Sequence, residues 1–370
     1  MKNKKILYLS NSVLPSREAN SVHVMKMCQA FSEFYAVELV CYAGKQKFDL
    51  DRLFDDYGVT SRFSIVFLQV ATFRGKFFQK IFKIYSILKN NPKNTIIYGR
   101  DAYSVYLAAK MGFKVYYESH GIPALTLYGR TERMLFRHPN FCGLIVISGK
   151  LKELYTADES YSLKSDNIIV LHDGADIPGI PKNTVELGKG FHVGYIGSLF
   201  YEGRGINVII ETAKKTPDFT FHLIGGSREQ VSYWQERAPG NVIFYGYLPH
   251  SKAAEYLAAF NVVLMPYQKQ LKLETMNIDT SAWMSPMKMF EYMAAQKAII
   301  SSNLPVIMEV LNDKNSVLVE PDDPEEWADA LKRLHNEKEF CSSIAECAFS
   351  DCAQNYTWQK RAMKLKEEFE

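Results

Sequence analysis

The chain is poor in cysteine and has no pair spaced C-x-x-C. Cys28, Cys41, Cys142, Cys341, Cys347 and Cys352, six in 370 residues, offer neither a disulfide framework nor a zinc finger. The first three sit in apolar strand-like or helix-like runs, which suits reduced, buried thiols and a cytoplasmic address. No apolar run is long enough to span a bilayer. Met1-Lys2-Asn3-Lys4-Lys5 leads into a short strand and not into the apolar core of a signal peptide. A large charge of one sign is also missing: 44 Lys and Arg against 41 Asp and Glu leave +3, too little to argue for nucleic acid. No His or Cys spacing points to zinc. Solenoid-length repeats and low-complexity tracts are absent.

What is present is a globular composition, 47% hydrophobic and 23% charged, over a length that fits two domains. Apolar strand-like runs alternate with helical patterns. In the first half the strands read as Ile6–Ser10, Val37–Tyr42, Phe63–Val70, Thr95–Tyr98, Lys114–Glu118, Leu144–Ser148 and Ile168–Leu171. In the second they read as His192–Ile196, Thr220–Ile224, Val242–Tyr245, Val262–Met265, Ala298–Ser301 and Val317–Val319. Near-continuous apolar strands between helices predict parallel sheets covered on both faces. The fold expected is α/β, with two doubly wound, Rossmann-like domains facing across a cleft. Their expected spans are 1–175 and 191–355, joined by a Gly- and Pro-rich linker, 176–190. In such domains ligands bind beyond the carboxyl ends of the strands.

Two stretches carry chemistry. Ser285-Pro286-Met287-Lys288-Met289-Phe290-Glu291-Tyr292-Met293-Ala294-Ala295-Gln296 reads as a helix capped by Ser285 with Pro286 at its first position. Met287, Phe290, Met293 and Ala294 share one face; Lys288, Glu291 and Ala295 share another. A helix N-terminus suits a phosphate, and Glu291, about two turns in, can accept hydrogen bonds from paired hydroxyls such as those of a ribose. The plainer reading is a capped helix with a solvated Lys288–Glu291 pair. The second stretch, Gly197-Ser198-Leu199-Phe200-Tyr201-Glu202-Gly203-Arg204-Gly205, lies between a strand and a helix, where glycines make room for a phosphate. Its spacing is not G-x-G-x-x-G, so NAD is not indicated. Arg204 offers a fork suited to a diphosphate, or is a solvated side chain in a glycine-rich turn. Gly225-Gly226 is a weaker signal of the same kind.

These residues resemble those of GT-B fold glycosyltransferases of family 4. The likeness rests on Gly197, Arg204 and Gly205, on Gly225-Gly226, on Gly246-Tyr247-Leu248-Pro249, on Met265-Pro266-Tyr267, and on Ser285-Pro286-x-Lys288-x-Phe290-Glu291-Tyr292-x-Ala294-Ala295. His172-Asp173-Gly174-Ala175-Asp176 is similar to the family's Asn-Gly-Val-Asp. The resemblance implies that Glu291 binds the ribose of a nucleotide-sugar and that Arg204, with Lys288, binds its diphosphate. Gly197, Ser198, Gly205 and Gly225 would line the donor site. Ser285, Pro286, Met287 and Lys288 would face phosphate and sugar, and the backbone at Tyr247 and Leu248 would contact the base. His120, in Glu118-Ser119-His120-Gly121 after a first-domain strand, would point at the donor sugar; His120, Arg204 and Lys288 are then the catalytic set. A terminal helix, 356–370, would cross back to the first domain.

Three positions depart from the family pattern. Trp283 stands where the first Glu of the family's Glu-x7-Glu is usual, with Asp279 as the candidate replacement. Ser16-Arg17-Glu18-Ala19-Asn20-Ser21 stands where a Gly pair is common, and Ser198 where many relatives have Arg.

The implied reaction is sugar transfer from a UDP- or GDP-linked donor to an acceptor hydroxyl, with retention and without metal or other cofactor. Asp49-Leu50-Asp51 looks like the metal motif of the other large glycosyltransferase fold, but helix capping is the better reading. Arg74 to Lys89 is basic and aromatic without an acid. Phe77, Phe78, Ile81, Ile84, Tyr85 and Leu88 make an apolar face, and Lys76, Lys80 and Lys83 stand off it. This fits either a helix on the inner face of an anionic membrane, with a lipid-linked saccharide as acceptor, or an ordinary helix with a basic edge. The rival functions are an inverting GT-B transferase with His120, Asp101 or Glu118 as base, a nucleotide-sugar epimerase, and a non-catalytic nucleotide-sugar-binding subunit. Oligomeric state is not legible.

Overall fold

A computed structural model describes residues 4–16, 18–44, 49–69, 75–123, 127–177, 185–273 and 276–370. It divides into two compact units. The first is Met1–His172 with Trp358–Glu370, and the second is Asp173–Thr357. Residues 178–184 of the Pro- and Gly-rich linker, and Arg17 and Arg74, lie outside the described residues.

The first unit holds a seven-stranded sheet of β1 (Lys5–Leu14), β2 (Ala36–Ala43), β3 (Ser64–Leu68), β4 (Ile96–Gly99), β5 (Val115–Ser119), β6 (Phe141–Val146) and β7 (Ile168–Val170). The strand order is β3-β2-β1-β4-β5-β6-β7, and every pairing is parallel. The order reverses between β1 and β4, the place where doubly wound sheets bind ligands. The terminal helix Trp358–Phe369 belongs to this unit. Phe369 packs on Tyr116, ring centroids 4.5 Å apart, and the Tyr116 hydroxyl donates to the Glu368 carbonyl at 2.6 Å.

The second unit holds β8 (Phe191–Ile196), β9 (Phe219–Ile224), β10 (Val242–Gly246) and β11 (Val262–Met265). A short antiparallel pair follows, β12 (Lys272–Leu273) and β13 (Met276–Asp279), then β14 (Ala298–Ser302) and β15 (Val317–Val319). The parallel sheet runs β10-β9-β8-β11-β14-β15, reversing between β8 and β11. Alternate residues of β11 feed opposite cores: Val262 and Leu264 pack under one face, Val263 and Met265 under the other. This two-sided burial is why the strands read as continuous apolar runs. The β12–β13 pair lies in a stretch read from sequence as loop.

Three local readings are corrected. Asp49 occupies the N-cap position of the helix Leu50–Asp56, but its side chain makes no capping hydrogen bond. On the basic helix Lys76–Lys89, Ile84 and Leu88 are buried, whereas Phe78 and Phe82 are 77% and 72% exposed. The apolar face drawn from the sequence is therefore split: its C-terminal part packs into the domain and its aromatic N-terminal part meets water. Cys142, expected to be buried, is half-buried, while Cys28 and Cys41 are buried.

A tyrosine cluster in the first unit encloses a carboxyl. Glu132, 1% exposed, accepts from the Tyr117 hydroxyl at 2.6 Å and from Tyr155 at 3.4 Å. Burial raises its pKa to about 7, against the opposing pull of both tyrosines and Arg133. The folded state therefore holds the proton more tightly than the unfolded chain, so this group's contribution is full below pH ~4.5 and is lost as pH rises toward 7. Glu132→Gln, neutral at all pH, is expected to match wild type near pH 4.5 and to exceed it at pH 8 by up to ~3 kcal/mol. Denaturant unfolding of the first unit at both pH values measures this; equal stabilities at pH 8 would contradict it.

Candidate functional site

In the second unit the carboxyl ends of three neighbouring strands are stitched together through glycine. Gly197 N–H donates to the Ile224 carbonyl at 2.9 Å and Gly225 N–H to the Gly246 carbonyl at 2.7 Å. Gly225 has φ +124°, and a Cβ there would stand 1.9 Å from the Gly197 carbonyl oxygen. Only glycine fits this approach. Gly205, φ +71°, starts the helix Ile206–Lys215, and a Cβ there would stand 1.9 Å from the Pro266 carbonyl oxygen. The loop after β8 is thus pressed against the residues after β11, at the switch point of the sheet.

Three charged side chains converge there. The Arg204 guanidinium carbon is 5.8 Å from the ring centre of buried Tyr267, and its Nε is buried without a hydrogen-bond partner among the described residues. The Lys288 ammonium lies 4.1 Å from the Tyr195 ring centre, 5.1 Å from that of Tyr267, and against Gly197. Desolvation holds Lys288 well below the usual lysine pKa. The positive charge of Arg204 adds to this, and Glu291 opposes it. Arg204 and Glu291 both act electrostatically on Tyr267. Lys288 and Glu291 make no ion pair, so the reading of a solvated surface pair does not hold: Lys288 faces aromatic rings and a second cation.

The helix carrying them is Met287–Ala294, one residue shorter at its start than the sequence indicated. Pro286 is its N-cap and no side chain caps it. Ser285 instead accepts the Asp173 N–H at 3.1 Å, so its hydroxyl is turned away from the helix donors. The buried face also differs. Met289, Phe290, Tyr292, Met293 and Ala294 are buried and Met287 is half-exposed. Tyr292, missed as a site residue, accepts the Ile196 N–H at 2.8 Å, fixing the helix against the end of β8. Of the remaining donor-site candidates, Ser198 accepts the Tyr195 hydroxyl through its carbonyl at 2.8 Å, Tyr247 is half-exposed and Leu248 partly buried. One Asp279 carboxylate oxygen accepts the Leu271 and Ser281 N–H groups, both at 2.9 Å, which ties it to a turn. Trp283 is half-buried.

In the first unit His120 follows β5 and meets Glu118. His120 Nε2 lies 2.5 Å and His23 Nε2 2.8 Å from the same carboxylate oxygen. Arg361, on the terminal helix, reaches both carboxylate oxygens at 3.3 Å and donates to the His172 and Leu171 carbonyls. Tyr98 also donates to Glu118. Burial of Glu118 opposes its ionisation, but Arg361, His23 and the imidazole hydrogen bonds outweigh this and hold its pKa well below the usual range. Desolvation, then the charge of Arg100, lowers His120 to a pKa of about 4 against the pull of Glu118. His120 is therefore neutral near pH 7. Facing an ionised carboxylate, its Nε2 carries the proton and Nδ1 is the acceptor. His23, Glu118 and His120 are a donor set of the kind that holds a metal ion. Here, however, two imidazole nitrogens meet one oxygen at hydrogen-bond distance and a guanidinium already neutralises the carboxylate, which fits a proton network better. His23 and Arg361 were not picked from sequence; their spacing to Glu118 carries no local signal. Asp101, a candidate base, is 1% exposed, caps the helix Ala102–Lys110 and pairs with Lys80 at 2.7 Å.

Residues 190–337 match the family described as Glycosyl transferases group 1. TuaH of Bacillus subtilis (strain 168), assigned as a teichuronic acid biosynthesis glycosyltransferase, is 25% identical over 148 residues, covering 40% of this chain and 35% of TuaH. The chain thus matches about a third of the length of that curated relative. A glycosyltransferase from Rickettsia africae ESF-5 superposes with a TM-score of 0.73 at 14% identity, over 99% of this chain and 98% of that one. HepE of Anabaena, in complex with UDP, superposes with a TM-score of 0.70 at 13% identity, over 98% of each chain. By sequence the second unit carries the glycosyl transferases group 1 signature, and by fold the chain is of the GT-B type.

Proposed function

We propose that the protein is a retaining family 4 glycosyltransferase that moves a hexosyl group from a nucleotide-sugar to a hydroxyl of a saccharide acceptor. The observation that carries this reading is the meeting of Arg204, Lys288 and Glu291 around Tyr267, beyond the carboxyl ends of β8 and β11. Two cations held partly out of water, one with a buried N–H lacking an acceptor among the described residues, favour a diphosphate leaving group, whose charge grows as the glycosidic bond breaks. Glu291 grips the ribose. Because Arg204 and Lys288 supply two positive charges, the leaving group needs no metal ion. UDP is the favoured nucleotide, since HepE binds UDP on the same fold; GDP is the alternative.

On the first unit, His120 presents a neutral imidazole to the sugar, oriented by Glu118. An inverting reaction would need a basic carboxylate near the acceptor. Glu118 is held well below the usual carboxylate range, and Asp101 is taken up by Lys80 and by the helix it caps, which supports retention. The acceptor belongs to cell-surface polysaccharide or glycolipid synthesis, and the enzyme works at the cytoplasmic membrane face; the similarity to TuaH, assigned to teichuronic acid biosynthesis, supports a biosynthetic role. Exposed Phe78 and Phe82 beside lysines on one helix support the membrane part of this reading.

Calorimetry with UDP tests the donor site. Arg204→Ala is expected to weaken UDP about 10- to 100-fold while leaving uridine nearly unchanged, and Glu291→Ala to weaken both. UDP affinity unchanged in both variants would sink the assignment. For the membrane surface, Phe78→Ser/Phe82→Ser is expected to abolish flotation with vesicles rich in anionic lipid. Wild type that stays in the soluble fraction would remove that part of the proposal.

A further inference from the structure

At the carboxyl edge of the first unit's sheet, two buried carboxylates among the described residues are matched by cations, and one guanidinium is not matched. Asp101 is met by Lys80 at 2.7 Å and by Asn11 at 2.9 Å. Glu118 is met by Arg361. Arg100, which follows β4, forms no ion pair among the described residues, and its NH1 nitrogen is buried with no hydrogen-bond acceptor among them. Its backbone is fixed: its N–H donates to the Leu9 carbonyl at 2.9 Å, and its carbonyl accepts the Tyr128 hydroxyl at 3.3 Å. The residue therefore sits at the switch point between β1 and β4, where a doubly wound sheet takes its ligand. It is close enough to His120 for its charge to count in that imidazole's titration.

A buried, uncompensated guanidinium donor is rare, because nearly all buried polar groups are satisfied. Its planar fork matches an oxyanion. We propose that Arg100 receives an oxyanion, a phosphate or a carboxylate, carried by the acceptor, and places it beside His120. The acceptor class is then an acidic or phosphate-linked saccharide, not a neutral one. The inference rests on the reading of the first unit as the acceptor side. It is independent of Arg204, Lys288 and Glu291.

The test uses the full chain saturated with UDP, so that the cations of the second unit are occupied. UDP affinity is measured first; its absence would sink the donor reading and leave this one to be judged at the first unit. Glucose 1-phosphate, glucuronate and glucose are then titrated by calorimetry, with the ring resonances of His120 followed by NMR. Binding of glucose 1-phosphate or glucuronate, but not glucose, is expected, together with movement of the His120 signals. Glu118 and His23 face the same ring and are present in every variant, so the movement reports on Arg100. Arg100→Met is expected to lose the anion at least about tenfold with UDP affinity kept, and Arg100→Lys, which keeps charge but not the fork, to lose less. Preference for glucose 1-phosphate assigns a phosphate-linked acceptor; preference for glucuronate assigns an acidic sugar. Anions that bind no better than glucose, or equally well to wild type and Arg100→Met, would overturn the proposal. Unchanged His120 signals on binding would do the same.

Discussion

The constraint on which the site depends is positive charge held out of water without a negative partner of its own. Two carboxylates of the first unit show the contrast. Glu118 has Arg361, and Asp101 has Lys80, so each of these two buried charges is neutralised where it stands. At Arg204 and Lys288 the neighbours are aromatic rings and each other, with Glu291 near but in no ion pair with Lys288. Such an arrangement leaves charge that a bound anion would neutralise, which is what the proposed diphosphate role requires.

Backbone geometry makes that arrangement attainable. Gly205 lets the loop after β8 come within contact of Pro266, and Gly225 lets the next loop close on Gly197. Tyr292 then pins the helix Met287–Ala294 to the end of β8 through Ile196. Complete burial of Phe290, a contribution of about 1.5–3 kcal/mol, holds the same helix from below. Lys288 and Glu291 therefore project from a helix whose position is set by packing on one side and by a hydrogen bond on the other. The Glu118 network does comparable work for His120: it fixes the tautomer and takes up the charge of Arg361.

Much of the fold was legible because parallel strands buried on both faces announce themselves as apolar runs. All seven strands of the first sheet and all six of the second coincide with runs read in advance, to within a few residues at their ends. The β12–β13 pair was missed, since two short antiparallel strands carry too few residues for a period to emerge. The basic helix was half misread because the apolar pattern cannot tell a face turned to the domain from one turned to water. Ile84 and Leu88 went inward, Phe78 and Phe82 outward.

The sequence by itself determined the two sheets, the glycine positions that open the loops, and the candidacy of Arg204, Lys288, Glu291 and His120. These follow from local rules of turn geometry, helix spacing and residue chemistry. Only the tertiary structure decided that Ser285 serves Asp173 instead of the helix, that His23 and Arg361 complete the Glu118 network, and that Arg100 is left without a counter-charge among the described residues. The contacts among them join partners 95 to 243 positions apart in the chain. Charge neutralisation and burial are properties of neighbours in space, and no local pattern encodes them.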